Sequence, residues 1–127
     1  MAFGRIVLVL SAVLWLPYGV YLCFHPGYLA EAAGVAFTSP TGSTEIRAMY
    51  GGLQTAVGIL ALIGCLSASL QRTALVALVV LCAGLGVTRL LGALADGGFS
   101  SYTNMALGFE WVEVALITWA LRRTAAA

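Results

Sequence analysis

Residues 73–95 read TALVALVVLCAGLGVTRLLGALA, an apolar run broken by one formal charge, Arg89. A helix that crosses a bilayer needs about 20 such residues. The run is built from Leu, Val, Ala and Gly and lacks the period-2 alternation of a membrane barrel strand. Working outward, three more windows of the same character fit, at Ile6–Phe24, Ile46–Leu66 and Tyr102–Leu121. Helices suit these windows because the bilayer core supplies no water to satisfy an open backbone. The expectation is all-α: a single domain over 1–127, an integral membrane four-helix bundle.

Composition agrees. The 127 residues are 61% hydrophobic and 9% charged, with a mean hydropathy of +1.00. Soluble domains average roughly 45–50% apolar and about 25% charged residues. Such a chain cannot cover a water-facing surface, which excludes a soluble enzyme and a disordered tail. A net charge of +1 without any lysine leaves no basic footprint for nucleic acid. Arg5, the apolar run and Ala30-Glu31-Ala32 imitate a secretory signal. The run is too long for a signal core and continues past Pro17, so it reads as a span.

Cytoplasmic loops carry the excess of arginine. Arg5, Arg72, Arg122 and Arg123 fall on one side, and Glu31, Glu45, Arg47 and Asp96 on the other. Both termini are then cytoplasmic, and the 25–44 connection faces outside. Within that connection, a short helix over Leu29–Ala33 ends at Gly34, Ser39–Ser43 reads as a turn, and Ser43 or Thr44 caps the next helix. Thr124–Ala127 reads as a frayed tail.

Charges inside a span are costly and face the bundle interior or a wet cavity. Arg89, Glu110 and Glu113 are of this kind. At 1.5 Å per residue, Arg89 lies about 10 Å below the outer end of its span, Glu110 about 12 Å and Glu113 about 16 Å. Helical phase puts Thr103, Ala106, Glu110, Glu113 and Ile117 on one face. Cys82, Leu85, Arg89, Ala93 and Asp96 share another, as do Arg47, Tyr50, Gly51, Gln54 and Gly58. Span one contributes Ser11, Trp15, Tyr18 and His25. Four such faces are expected to meet around a central pocket open outward.

In the functional reading, Glu110, Glu113 and Arg89 are catalytic. Arg47, Tyr50, Gln54, Tyr18 and Trp15 bind a lipophilic small molecule or lipid. Two buried carboxylates at i, i+3 repel, so one keeps its proton. A protonated acid beside an ionised one equips a site for general acid–base chemistry. Isomerisation, cyclisation and epoxide opening all fit. The same groups could relay protons or cations in an oligomeric transporter or channel subunit. In the structural reading, Arg89 only neutralises Glu110, and Arg47 pairs with Glu45 or Glu113.

No cofactor is implied. No two-histidine motif offers ligands for zinc or iron, and no glycine-rich phosphate loop is present. Cys23, Cys65 and Cys82 fall at different depths, and His25 sits at the outer interface. Ala48, Gly52 and Ala56 form a small-residue stripe suited to close helix contact, as do Gly84 and Gly86. Such stripes serve packing within one chain or a homo-oligomer.

The segment Glu45-Ile46-Arg47-Ala48-Met49-Tyr50-Gly51-Gly52-Leu53-Gln54, followed by Gly58, resembles the signature of a family of small bacterial four-helix membrane proteins of unknown function. Arg89 and Glu110 match that family's polar positions. The resemblance implies the fold and a place in the bacterial cell membrane, and no activity. More loosely, the layout is similar to small membrane isomerases and terpene cyclases, which use intramembrane carboxylic acids on apolar substrates.

Overall fold

A computed structural model describes residues 2–125. The helices are α1 (Ala2–Phe24), α2 (Tyr28–Ala33), α3 (Pro40–Ile46), α4 (Leu53–Leu66), α5 (Gln71–Asp96) and α6 (Ser101–Ala125). A π-helical segment, Arg47–Gly52, joins α3 to α4 without a break. No strand occurs among the described residues.

Three helical stretches are long and apolar enough to cross a membrane: Ala2–Phe24, Pro40–Leu66 and Gln71–Asp96. This marks the chain as a membrane protein. The fourth stretch, α6, has 25 residues but is too polar in composition to be grouped with them. Its two acids are buried, so much of its polarity points inward.

The stretches run antiparallel to their neighbours. Along α1 and α4, Gly51 faces Cys23, Gly19 faces Thr55, Gly58 faces Leu16 and Gly64 faces Leu8. The pairing number falls on one helix as it rises on the other. A Cβ on Gly58 would lie 2.7 Å from the Leu16 backbone nitrogen, and one on Gly51 2.6 Å from the Cys23 sulfur. Only glycine lets the two backbones approach this closely. On α5 and α6, Gly86 sits against Glu110 and Trp111, and Cys82 against Glu113. Between α1 and α6, Phe3 meets Trp119 and Trp15 meets Phe109.

The core between these helices holds Leu8, Ala12, Trp15, Ala61, Leu75, Leu78, Cys82 and Ile117. A smaller cluster of Leu22, Leu29 and Ile46 closes the end near α2, with Tyr18, Tyr50 and Tyr102 around it. Pro17 is accommodated inside α1.

The short helix expected before Gly34 is present, ended by Gly34 in a left-handed conformation at φ 71°. The turn expected at Ser39–Ser43 is not a turn. Ser39 caps α3 by accepting from the Gly42 N–H, and Pro40 opens the first helical turn. Proline fits that position because the first N–H groups of a helix have no intrahelical acceptor. The second span therefore starts at Pro40, more than a turn and a half before the expected Ile46. The small-residue stripe at Ala48, Gly52 and Ala56 is exposed, and Gly51 and Gly58 on the neighbouring face make the close contact. Gly86 makes a close contact with Trp111, whereas Gly84 faces open space. Of the tail expected to fray, Thr124 and Ala125 continue α6, and Ala126 and Ala127 lie outside the described residues.

Candidate functional site

Both acids of α6 are buried: Glu110 is 2% exposed and Glu113 5%. Their spacing of three places them on one helix face, and antiparallel packing decides what each meets.

Glu110 meets Arg89. Arg89 Nη2 donates to Oε1 at 2.7 Å, and Nε lies 3.0 and 3.1 Å from the two oxygens. This forked geometry is the strong form of a guanidinium–carboxylate pair. Gly86, one turn along α5, has no side chain to push α6 away at this level. Arg89 is partly exposed, at 30%, so the pair is sealed on one side only.

Glu113 has different company. Ser11 Oγ donates to Oε1 at 2.5 Å. Trp15 Nε1 is shared between the two oxygens at 3.1 and 2.9 Å. The Cys82 thiol donates to Oε2 at 3.3 Å. All three donors are neutral. Among the described residues, no cation lies within ion-pair distance of Glu113. Two carboxylates one turn apart therefore occupy opposite environments, one salt-bridged and one held by neutral dipoles.

A cleft of about 120 Å³ adjoins Glu113. Val7, Leu10, Leu14, Phe109, Val112 and Leu116 wall it, Ser11 and Glu113 border it, and its lining is almost wholly apolar. It lies between α1 and α6. Leu10, Leu14 and Val112 at its rim are exposed side chains, so the cleft opens sideways from the bundle.

Glu110, Glu113, Arg89, Trp15 and Ser11 come together as the sequence suggests. The rest of the expected central pocket does not assemble. Arg47 is exposed and donates to the Cys23 carbonyl oxygen on α1, and it pairs with neither Glu45 nor Glu113. Along α1, Cys23 is eight residues from Trp15, about 12 Å at 1.5 Å per residue, so Arg47 sits well away from Glu113. The π-helical segment explains part of this. Its wider turns shift the phase of Arg47–Gly52 away from the 100° step assumed for the whole span. Tyr50 packs in the Leu22–Leu29–Ile46 cluster. Gln54 keeps a buried Oε1 that has no partner among the described residues. Tyr18 shares a 3.0 Å hydrogen bond with Tyr102. None of these four lines the cleft. Leu85 and Asp96, phased with Arg89 by the sequence, are exposed, and Gly86 takes the buried position instead. His25 stacks on Tyr21 at the surface.

Ser11, Cys82 and Phe109 are not among the site residues expected from the sequence, although Ser11 stood on the polar face of span one. Cys82 stood on the right face, but its use as a donor to Glu113 depends on the α5–α6 register. Phe109 gives no signal beyond being an aromatic residue next to Glu110.

An antiparallel set of long apolar helices around buried acids defines a helical membrane protein. The chain belongs to the family described as a domain of unknown function, DUF4345, whose model matches residues 3–121. No curated protein and no solved structure matches it.

Proposed function

We propose that the protein is a multi-pass protein of the bacterial inner membrane that binds a lipophilic small molecule beside Glu113. α6 serves as the fourth span, which makes a single four-helix bundle with both termini cytoplasmic. Its polarity is no obstacle, because Glu110 and Glu113 are satisfied inside the bundle. The arginines at Arg5, Arg72, Arg122 and Arg123 support the orientation.

One observation carries the site: a buried acid, without a cationic partner among the described residues, borders an apolar cleft that opens sideways. Burying a charge is expensive unless it is compensated. A residue placed this way supports function better than it supports stability. Ser11, Trp15 and Cys82 hold Glu113 in place beside the cleft. Glu113 is the group that would exchange a proton with a bound alkene, epoxide or carbonyl. Arg89 pairs with the second acid, Glu110, and is a positioning residue.

Native mass spectrometry of protein released from mild detergent tests this reading. A monomer or dimer carrying a defined apolar molecule is the expected result. A ligand-free ring of several subunits overturns it, in favour of proton or cation passage along the carboxylates.

A further inference from the structure

All five acidic side chains lie away from the end of the bundle where α5 begins. Glu31, Glu45 and Asp96 belong to the opposite end, and Glu110 and Glu113 lie midway along α6. Contacts define this end: Phe3 of α1 packs on Trp119 of α6, and Gly4 of α1 faces Gln71 of α5. Arg5, Arg72, Arg122 and Arg123 gather there. Arg123 lies over the Phe3 and Trp119 rings. Arg72 is exposed and makes no ion pair among the described residues.

From Arg72 a furrow of about 610 Å³ runs along the exposed side of α5, lined by Arg72, Thr73, Val76, Ala77, Val80 and Leu81. It shares no residue with the cleft beside Glu113. Its banks are two rows at four-residue spacing, 72–76–80 and 73–77–81, the neighbouring ridges of a helix surface. Ala77, short between Thr73 and Leu81, deepens it midway. The slot is apolar, and the charge stands at one end of it, on the first turn of the helix. We infer that this furrow seats one acyl chain of an anionic phospholipid, whose phosphate pairs with Arg72.

Length argues for an acyl chain. Arg72 to Leu81 is about 14 Å at 1.5 Å per residue. The hydrocarbon core of a bilayer is about 30 Å thick. The furrow therefore runs from the interface to about the midplane, which is the depth of a single leaflet.

Charge argues for an anionic lipid and against a second copy of the chain. Copies insert the same way round, so a neighbour brings its own four arginines to this depth and no acidic side chain. A two-fold pair across this face of α5 would set Arg72 against Arg72. A lipid phosphate supplies the missing countercharge, and a guanidinium binds phosphate oxygens in a forked geometry. A choline headgroup would carry a cation back to an end already rich in arginine. A glycerol headgroup leaves the lipid its net negative charge.

The test uses the full chain in phosphatidylcholine nanodiscs. A trace of phosphatidylglycerol, or of phosphatidylcholine, carries a diazirine midway along one acyl chain. After photolysis, mass spectrometry locates the labelled residues. Label is expected on residues 73–81, about fivefold more from the phosphatidylglycerol probe, the preference that one arginine near a membrane surface supports. Arg72→Gln is expected to abolish that preference. Arg122→Gln, at the same end but outside the furrow, is expected to keep it. Ala77→Leu, which fills the slot, is expected to lower labelling by both probes. If Arg72→Gln does not fold, the ratio of the two probes on the unaltered protein decides. Equal labelling of 73–81 by the two probes overturns the inference and marks the furrow as ordinary boundary-lipid surface. A preference that survives Arg72→Gln also overturns it. Protection of 73–81 from both probes overturns it in favour of a second protein chain on this face.

Discussion

Ser11 and Glu113 are 102 residues apart in the chain and joined by a 2.5 Å hydrogen bond inside the bundle. The bond ties the first long helix to the last. Both residues also border the cleft between α1 and α6.

Glu113→Gln keeps the volume of the side chain and removes its charge. It can still accept from Ser11 and Trp15 through the amide oxygen. The protein is expected to fold, with a loss of about 1–2 kcal/mol for a weakened buried bond, and to lose its bound small molecule. Native mass spectra of the variant and the unaltered protein, purified side by side, check this. A variant that carries the same molecule at the same occupancy would show that Glu113 does not hold it.

Arg89→Met leaves Glu110 buried without its partner. Breaking a buried pair by removing one member costs about 3–5 kcal/mol, and the partial exposure of Arg89 puts the expected loss at the lower end. Arg89→Met with Glu110→Gln is expected to recover most of that loss. Unfolding in mixed micelles across the double-mutant cycle measures the coupling. A double variant no better than Arg89→Met alone would contradict the pairing as the source of the loss.

Gly58→Ala and Gly84→Ala are expected to act in opposite directions. A Cβ on Gly58 runs into the Leu16 backbone, which cannot move aside without separating α1 from α4. Overpacking of this kind costs about 1–3 kcal/mol or more. A Cβ on Gly84 meets nothing within 4 Å, so the gain is that of replacing a helical glycine, about 0.5–1 kcal/mol. Thermal unfolding of the two variants in one detergent compares them directly.

The proposed topology makes a separate prediction. A fluorescent protein fused after Ala127 should fold and emit, and alkaline phosphatase at the same position should be inactive. The same phosphatase inserted in the 35–39 loop should be active. The opposite pattern would place the termini outside.

Much of this was legible in the sequence because it depends on local composition and period. Apolar runs of about 20 residues marked the long helices. A 3.6-residue period put Glu110, Glu113 and Ile117 on the buried face of α6. Depth arithmetic brought Arg89 to Glu110 because the two helices are joined by a short connection and must run antiparallel. The start of α3 was misread because Ser39-Pro40 serves a turn and a helix N-terminus equally well, and only the Gly42 N–H on Ser39 distinguishes them.

The tertiary structure decided what no local rule could. Arg47 lies outside the site because it bonds the Cys23 carbonyl about 12 Å along α1 from Trp15, and the π-helical segment shifts its phase as well. Glu113 acquired Ser11, Trp15 and Cys82 from two other helices, and their meeting depends on how far α1 and α5 slide against α6. Glycines mark the close approaches: Gly19, Gly51 and Gly58 where α1 meets the second span, and Gly86 where α5 meets the Glu110 and Trp111 side chains of α6. The sequence by itself determined that the protein is helical, membrane-embedded and acidic at its centre, since each property follows from residues near one another in the chain. Which acid keeps a cation and which faces the cleft is a property of register between helices, and register exists only once the helices have packed.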